Sequence, residues 1–373
     1  MKFSVNSNDL LAGLLTVQKA IPAKASDPIL ENYLLSLQGT DLHLTASNGE
    51  FTLNTVVQTA ETTEDGVMAI PSRQVTDLLK ELPDQPLRIE TISDSAFSIA
   101  WTGGDSTLPF LYGDDYPSVK TLGEDPCILQ TDSETIGEGI SSTIYASSDD
   151  ESRPIMNSVY LDVKPSLTTF VASDLQKLVC YNTANVKSET PECGVVLNKR
   201  HALVLRSILP KENTPLTIAF DKDVVVISFL STKMTCTLAV GKYPDYKTII
   251  PKSNSNILRI GRTRLLNTVR RIAVCSPKAS NHIKFDLAPG VLEISAQDMG
   301  FELSAHEKVE CDYNGDELSV GFKSTHISDI LSNLSCENII MKFADRRRSI
   351  LIIPDDEDGE DNIFGIVMPV VVK

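Results

Sequence analysis

The sequence lacks most of the residue patterns that announce chemistry. Its seven cysteines (Cys127, Cys180, Cys193, Cys236, Cys275, Cys311, Cys336) are odd in number and scattered singly, with no C-x-x-C and no histidine partner at zinc spacing. They are expected to be free thiols in a reducing compartment, not a disulfide framework. Five histidines (His43, His201, His282, His306, His326) fall in no metal spacing, and His201 occupies an apolar helix position where a packed side chain is expected. No G-x-S-x-G, H-E-x-x-H, Walker or dinucleotide pattern is present. Asp114 and Asp115 lie beside Pro117 in a turn, a poor setting for general acid/base work. No catalytic residue, metal site or cofactor is therefore expected. No apolar run approaches the roughly 20 residues that a spanning helix needs, and residue 1 leads straight into a strand and a polar turn, so the expectation is a cytoplasmic protein without a membrane partner.

Acid outweighs base, 50 residues to 34, for a formal net charge of -16. That sum argues against nucleic acid, but binding depends on where the charges lie. Residues 258–278 carry Arg259, Arg262, Arg264, Arg270, Arg271 and Lys278 without one acid, and Lys199, Arg200 and Arg206 share a helix free of carboxylates. The acid gathers elsewhere, at Asp149-Asp150-Glu151 and in residues 355–361, the latter read as a solvated loop between the last two strands.

What the chain does contain is a threefold repeat. Val75, Leu78, Leu79 and Leu82 recur 126 positions on as His201, Val204, Leu205 and Ile208, and 126 further as Ile327, Ile330, Leu331 and Leu334. Each set has the i, i+3, i+4, i+7 spacing of one helix face, and each follows a β-type run (67–70, 194–197, 318–322). Ala46, Ala172 and Ala296 each follow a strand and precede a small polar pair, downstream of hairpin turns at Gly39-Thr40-Asp41, Pro165-Ser166 and Ala288-Pro289-Gly290. The copies end on Tyr116-Pro117, Tyr243-Pro244 and Met368-Pro369, which puts the domains at 1–122, 123–250 and 251–373.

A first helix opens each copy, over residues 7–21, about 131–146 and about 262–275, with Ser7 or Asn8 capping the first and Thr131 or Asp132 the second. The remainder alternates with the period of strands. Two helices over antiparallel sheet, three times, make an α+β chain. If the copies curve with their helices on one concave wall, two protomers joined end to end close a six-domain ring whose cationic helices meet DNA phosphates without reading sequence.

The chain resembles the bacterial DNA polymerase sliding clamps, the β subunits of the replicative polymerase, over all 373 residues. The resemblance rests on Met1-Lys2-Phe3, Pro28-Ile29-Leu30 with Asn32, Asp115-Tyr116-Pro117, Tyr243-Pro244-Asp245-Tyr246 with Ile250-Pro251-Lys252, Ser335-Cys336-Glu337-Asn338 and Val367-Met368-Pro369. It implies three clamp domains per chain and a head-to-tail homodimer around double-stranded DNA. A clamp loader opens the ring, and replicative polymerase and repair proteins are tethered to it through a short peptide motif. The peptide pocket it implies comprises Met156, Ser173, Leu175, Gln176, Lys177, Leu178, Pro244, Thr248, Ile249, Ile366, Val367, Met368, Pro369 and Val370. Apolar residues with a polar rim suit the aliphatic or aromatic anchors of a peptide. For DNA it implies Lys24, Arg73, Lys199 and Arg200; Arg262, Arg264, Arg270 and Arg271 are added on charge alone. At the protomer interface it sets Leu108 against Val274 and Cys275.

The sequence departs from the family in three places. Ser173-Asp174-Leu175-Gln176-Lys177-Leu178 stands where Thr-Asp-Gly-His-Arg-Leu is common, Thr248 replaces a common arginine, and Ser106 an aromatic. Leu175 is expected to alter the pocket wall, and Lys177 cannot fork or stack as a guanidinium does. The alternative reading is a repeat scaffold that binds only protein, its basic helices being incidental; an enzyme with an unrecognised interdomain site is a remote third.

Overall fold

The structure is a computed structural model that describes residues 1–25, 27–356 and 362–371. The chain divides into two compact units, one of Met1–Glu134, Ser188–Thr190 and Ser207–Leu238, the other of Thr135–Lys187, Pro191–Arg206 and Ala239–Lys373. The described residues form α1 (Ser7–Val17), α2 (Ser72–Lys80), α3 (Ser133–Thr143), α4 (Lys199–Ile208), α5 (Arg262–Ala273) and α6 (Ser324–Asn333), and all other regular structure is strand or short 3-10 turn. The α+β composition and the helix pair in each third are as the apolar periodicity predicts. No described helix is long and apolar enough to cross a membrane.

Helix starts are set by contacts that sequence spacing does not reveal. Asn6, not Ser7 or Asn8, caps α1, its side chain accepting from the amides of Asn8 and Asp9. Ser7 is turned inward, donating to the carbonyl of Pro83 at 2.9 Å and accepting from the amide of Gln85 at 3.0 Å. Thr131 and Asp132 close the strand Cys127–Asp132, and the Glu134 amide at the start of α3 bonds Asn213 Oδ1 at 3.1 Å. The chain tightens into 3-10 turns after α1 and α3, so both α-helices stop short of the predicted ends. Ala46, Ala172 and Ala296 lie inside strands rather than after them.

In the first unit, one antiparallel sheet runs Glu61–Glu64, Lys2–Asn6, Pro86–Ser93, Ala96–Trp101, Gly104–Pro109. In a second sheet Phe51–Gln58 pairs with Thr232–Thr237, placing fully buried Leu53 opposite Met234 and bringing the hydroxyls of Thr55 and Thr232 to 3.1 Å. The second unit repeats that junction: Lys177–Thr183 pairs with Ile363–Val367, Leu178 opposite Ile366, inside a nine-stranded sheet. Its other sheet runs Leu303–Glu310, Val291–Asp298, His282–Ala288, Leu318–Lys323. Strand pairing therefore links the first third of the chain to the second and the second to the third.

The predicted helix faces are buried to different depths. Ile327, Ile330 and Leu331 are fully buried, as are Val75 and Leu79, whereas Leu78 and Val204 are only half-buried. Each fully buried side chain of this kind contributes roughly 1.5–3 kcal/mol. Gly13 in α1 and Gly139 in α3, 126 positions apart, let those helices sit close on their sheets: a Cβ would come within 2.6 Å of Leu44 Cδ1 at the first and 2.5 Å of Phe170 Cε1 at the second. All seven cysteines are free, and burial pushes the Cys180 and Cys236 thiols well above the ordinary range.

Candidate peptide pocket and basic helix faces

The turn between the strands Thr168–Ser173 and Lys177–Thr183 is over-determined by hydrogen bonds. Ser173 Oγ donates to the carbonyl of Lys177 at 2.8 Å and accepts from the amide of Leu175, and Asp174 Oδ1 accepts from the amides of Gln176 and Lys177 at 2.9 and 2.8 Å. Closing this turn forces Leu175 to φ 75°. That is the left-handed region where a Cβ costs roughly 1–2 kcal/mol, and a glycine is common there in the family resembled. The turn is sewn to the chain end by the Met368 amide, which donates to the carbonyl of Gln176 at 2.8 Å.

Beneath the turn lies an apolar cluster of Met156, Val171, Leu178, Cys180, Tyr243, Tyr246, Leu351, Ile353 and Ile366. Tyr160 stacks on Tyr243 with ring centroids 4.7 Å apart. Tyr246 is fixed by a 2.8 Å hydrogen bond to Asp162, which also takes Lys247 Nζ at 2.6 Å. Burial, then the Asp162 contact, pushes the Tyr246 phenol far above its usual range. These polar ties hold the short 3-10 turn Tyr246–Ile249 so that Ile249 is left 40% exposed.

The expected pocket residues thus separate into a floor and a surface. Met156, Ser173, Leu178, Ile366 and Val367 are buried. Leu175, Gln176, Pro244, Thr248, Ile249 and Met368 are exposed, with Pro369 and Val370 half-buried. Lys177 belongs to neither group. Its amine is buried and paired with Asp329 of α6 at 2.5 Å, with Asp174 at 3.9 Å, so it is committed to the fold instead of standing as a free donor on a pocket wall. His326, 3.6 Å from Asp174, completes the group, and burial pulls its imidazole down to about 4 against the opposing pull of Asp174. Asp329 is 152 positions from Lys177 and no sequence pattern links them.

The basic residues also sort by what they touch. Arg73 is 90% exposed, with only a 3.8 Å contact to Asp77 one turn along α2. Lys24, Arg200 and Arg264 are exposed. Lys199 is half-buried, its amine 2.6 Å from the exposed Asp149. Arg270 reaches Ser332 Oγ at 3.0 Å. Arg271 is clamped by Glu307 at 2.5 and 2.9 Å. Arg262 donates to the carbonyls of Cys336 and Leu331 at 2.7 and 2.8 Å, satisfying backbone at the end of α6. Of the four arginines nominated on charge alone, Arg262 is therefore committed to backbone carbonyls and Arg271 to a carboxylate, whereas the exposed Arg270 meets a serine hydroxyl. Leu108 lies in Gly104–Pro109, an edge strand of its sheet; Val274 is 77% exposed and Cys275 half-buried just after α5.

Three family models cover nearly the whole chain: the DNA polymerase III beta subunit N-terminal domain at residues 1–120, its central domain at 130–245 and its C-terminal domain at 247–370. The chain belongs to the DNA polymerase III beta subunit family. As a sliding clamp it is a processivity factor of DNA replication. It is 26% identical over 370 residues to the beta sliding clamp of Pseudomonas putida, covering 99% of each protein, and 27% identical over 387 residues to that of Synechococcus elongatus, covering both fully. Its fold superposes on the DNA polymerase III subunit beta of Pseudomonas aeruginosa with a TM-score of 0.94 at 24% identity, and on that of Thermotoga maritima with 0.89 at 22%, over 100% of each chain. A Pseudomonas aeruginosa sliding clamp bound to griselimycin is similar as well, with a TM-score of 0.90, 25% identity and full coverage of both chains.

Proposed function

We propose that two copies of this sliding clamp close head to tail into a six-domain ring around duplex DNA, each copy contributing domains at 1–122, 123–250 and 251–373. The observation that carries this reading is the recurrence of a helix pair in every third together with the carboxylate-free basic helices α4 and α5, on a chain that belongs to the clamp family. Lys24, Arg73, Lys199 and Arg200, with Arg264 and Arg270, are the phosphate contacts. Arg262 and Arg271 hold the third domain together. Contacts of this type neutralise phosphate without reading bases, which sliding requires.

Closure joins the edge strand Gly104–Pro109, with Leu108, to the region of Val274 and Cys275 in the other protomer. Both Gly104–Pro109 and Leu303–Glu310 are sheet edges, and a closed ring removes such free edges. The clamp performs no chemistry. It turns repeated rebinding of a polymerase into near-intramolecular retention, a gain in effective concentration. Replicative polymerase, repair proteins and the clamp loader bind the surface of Leu175, Gln176, Pro244, Thr248, Ile249, Met368, Pro369 and Val370, over the floor of Met156, Leu178 and Ile366; the setting is the cytoplasm.

Two titrations test the reading. Association with duplex DNA should weaken with salt and lose slope, by about 0.9 per removed phosphate contact, when Arg73→Ala and Lys199→Ala are combined. A labelled peptide with aliphatic and aromatic anchors should bind and be released by Met368→Asp. Peptide binding with no salt-dependent DNA association in a stable monomer would leave a protein-only scaffold.

A further inference from the structure

The hairpin between the strands Asn338–Phe343 and Ile350–Pro354 ends in three consecutive arginines, Arg346, Arg347 and Arg348, all exposed. The tip is tied to the segment that carries the exposed pocket residues. Ser349 Oγ donates to the carbonyl of Ile249 at 3.1 Å, Arg348 reaches Ser253 Oγ at 3.4 Å, and Asn254 Nδ2 donates to the carbonyls of Lys342 and Ser349 at 2.8 and 2.9 Å. The backbone of the tip is ordered by Asp345, whose Oδ1 accepts from the amides of Arg347 and Arg348 and whose other oxygen lies 3.3 Å from the Arg348 guanidinium. Among the described residues Arg346 and Arg347 have no ion-pair partner. Two guanidiniums without a direct ion pair are therefore carried next to Ser349, which is bonded to the exposed Ile249, in a chain with a net charge of -16.

We propose that the arginine tip selects partner peptides that carry acidic residues next to their apolar anchors, an inference that rests on the peptide pocket proposed above. Charge complementarity identifies the occupant. The adjoining residues 242–252 add Lys242 and Lys252 against one acid, Asp245, Lys247 being paired with Asp162. The three arginines also line a hollow together with Asp345, Asp316 and Glu317, whose acids repel a further carboxylate there, so a carboxylate is better met on the side where Ser349 is bonded to Ile249. Guanidinium forks pair carboxylates with defined geometry, and such pairs set partner choice and on-rate at the rim of an apolar contact.

The test uses the full-length protein and short fluorescent peptides that share leucine and phenylalanine anchors but are flanked by paired serines, aspartates or lysines. The Asp-flanked peptide should bind about three- to tenfold more tightly than the Ser-flanked one at low salt and the Lys-flanked one more weakly than either. That preference should vanish at high salt and in the variant Arg346→Ser with Arg347→Ser, while the Ser-flanked peptide binds the variant and the wild type alike. Equal binding of the Asp- and Ser-flanked peptides overturns the inference and leaves the pocket standing. So does a variant that weakens all three equally. Single-stranded oligonucleotide captured through the same two arginines, with no gain for the acidic peptide, would reassign the tip to nucleic acid and overturn it too. If no peptide binds at all, the pocket reading fails and takes this inference with it.

Discussion

Replacing Leu175 isolates the backbone cost of the turn at the candidate pocket. Leu175 sits at φ 75° and is 56% exposed, so its side chain contributes little burial while its Cβ meets the left-handed penalty in full. That penalty is roughly 1–2 kcal/mol, and glycine relieves it but widens the unfolded ensemble by roughly 0.5–1 kcal/mol. Leu175→Ala removes nearly the same side-chain atoms and keeps the Cβ, so the difference between the glycine and alanine variants reports the backbone alone. Glycine should be the more stable by about 0.5–1 kcal/mol, a reversal of its usual deficit of similar size against alanine in regular structure. Urea unfolding followed by far-ultraviolet circular dichroism measures the pair, with attention to the transition of the unit that contains Tyr160, Tyr243 and Tyr246, since the single tryptophan, Trp101, lies in the other. The four hydrogen bonds around the turn fix its geometry in both variants. An alanine variant as stable as the glycine variant, or more so, would refute the assignment of strain to this residue.

Lys177→Met strips the buried cation from Asp329 and Asp174 and should cost about 2 kcal/mol in unfolding free energy; because the Lys177 charge depresses His326, the imidazole should also titrate upward from about 4, seen by proton NMR, and an unmoved His326 would contradict the cluster. Arg262→Ala, which frees two carbonyls near the end of α6, should destabilise by about 2 kcal/mol, whereas Arg73→Ala should leave the unfolding midpoint within about 0.5 kcal/mol and lower only DNA affinity. Burial holds both His201 and His326 at about 4 in the fold, below the ordinary 6.5. The unfolded chain therefore takes up protons first, and stability should fall by roughly 2 kcal/mol per histidine as pH drops through that window, with little change above it. Urea midpoints across that range test it, a flat profile counting against buried neutral histidines.

Elements whose signal is local were legible in the sequence. The helix faces at Val75, His201 and Ile327 and the hairpin turns at Gly39, Pro165 and Gly290 depend on side-chain period and turn chemistry, which neighbours in sequence encode. What was hidden depends on distant partners: the α1 cap moved to Asn6 because Ser7 is drawn inward by Pro83 and Gln85, and Lys177 left the pocket wall because Asp329 offers it a carboxylate. Charge alone could not separate Arg73, which is exposed, from Arg262, which serves backbone carbonyls. Leu175 at a glycine position and three arginines in a row were both visible as letters, but only the turn geometry and the Ile249 contact give them meaning. Of the acidic stretch 355–361, residues 357–361 lie outside the described residues. Asp355 contributes a 3.7 Å pair to Arg259.

The central claim is that the clamp is held on DNA by encirclement and not by adhesion. The direct measurement loads the protein onto a nicked circular plasmid with a clamp loader, removes free protein, and follows retention by gel filtration before and after a single restriction cut. Encirclement predicts that the protein stays on the circle and runs off once ends are made. Equal retention on circular and linear DNA, or equal loss from both, would contradict it.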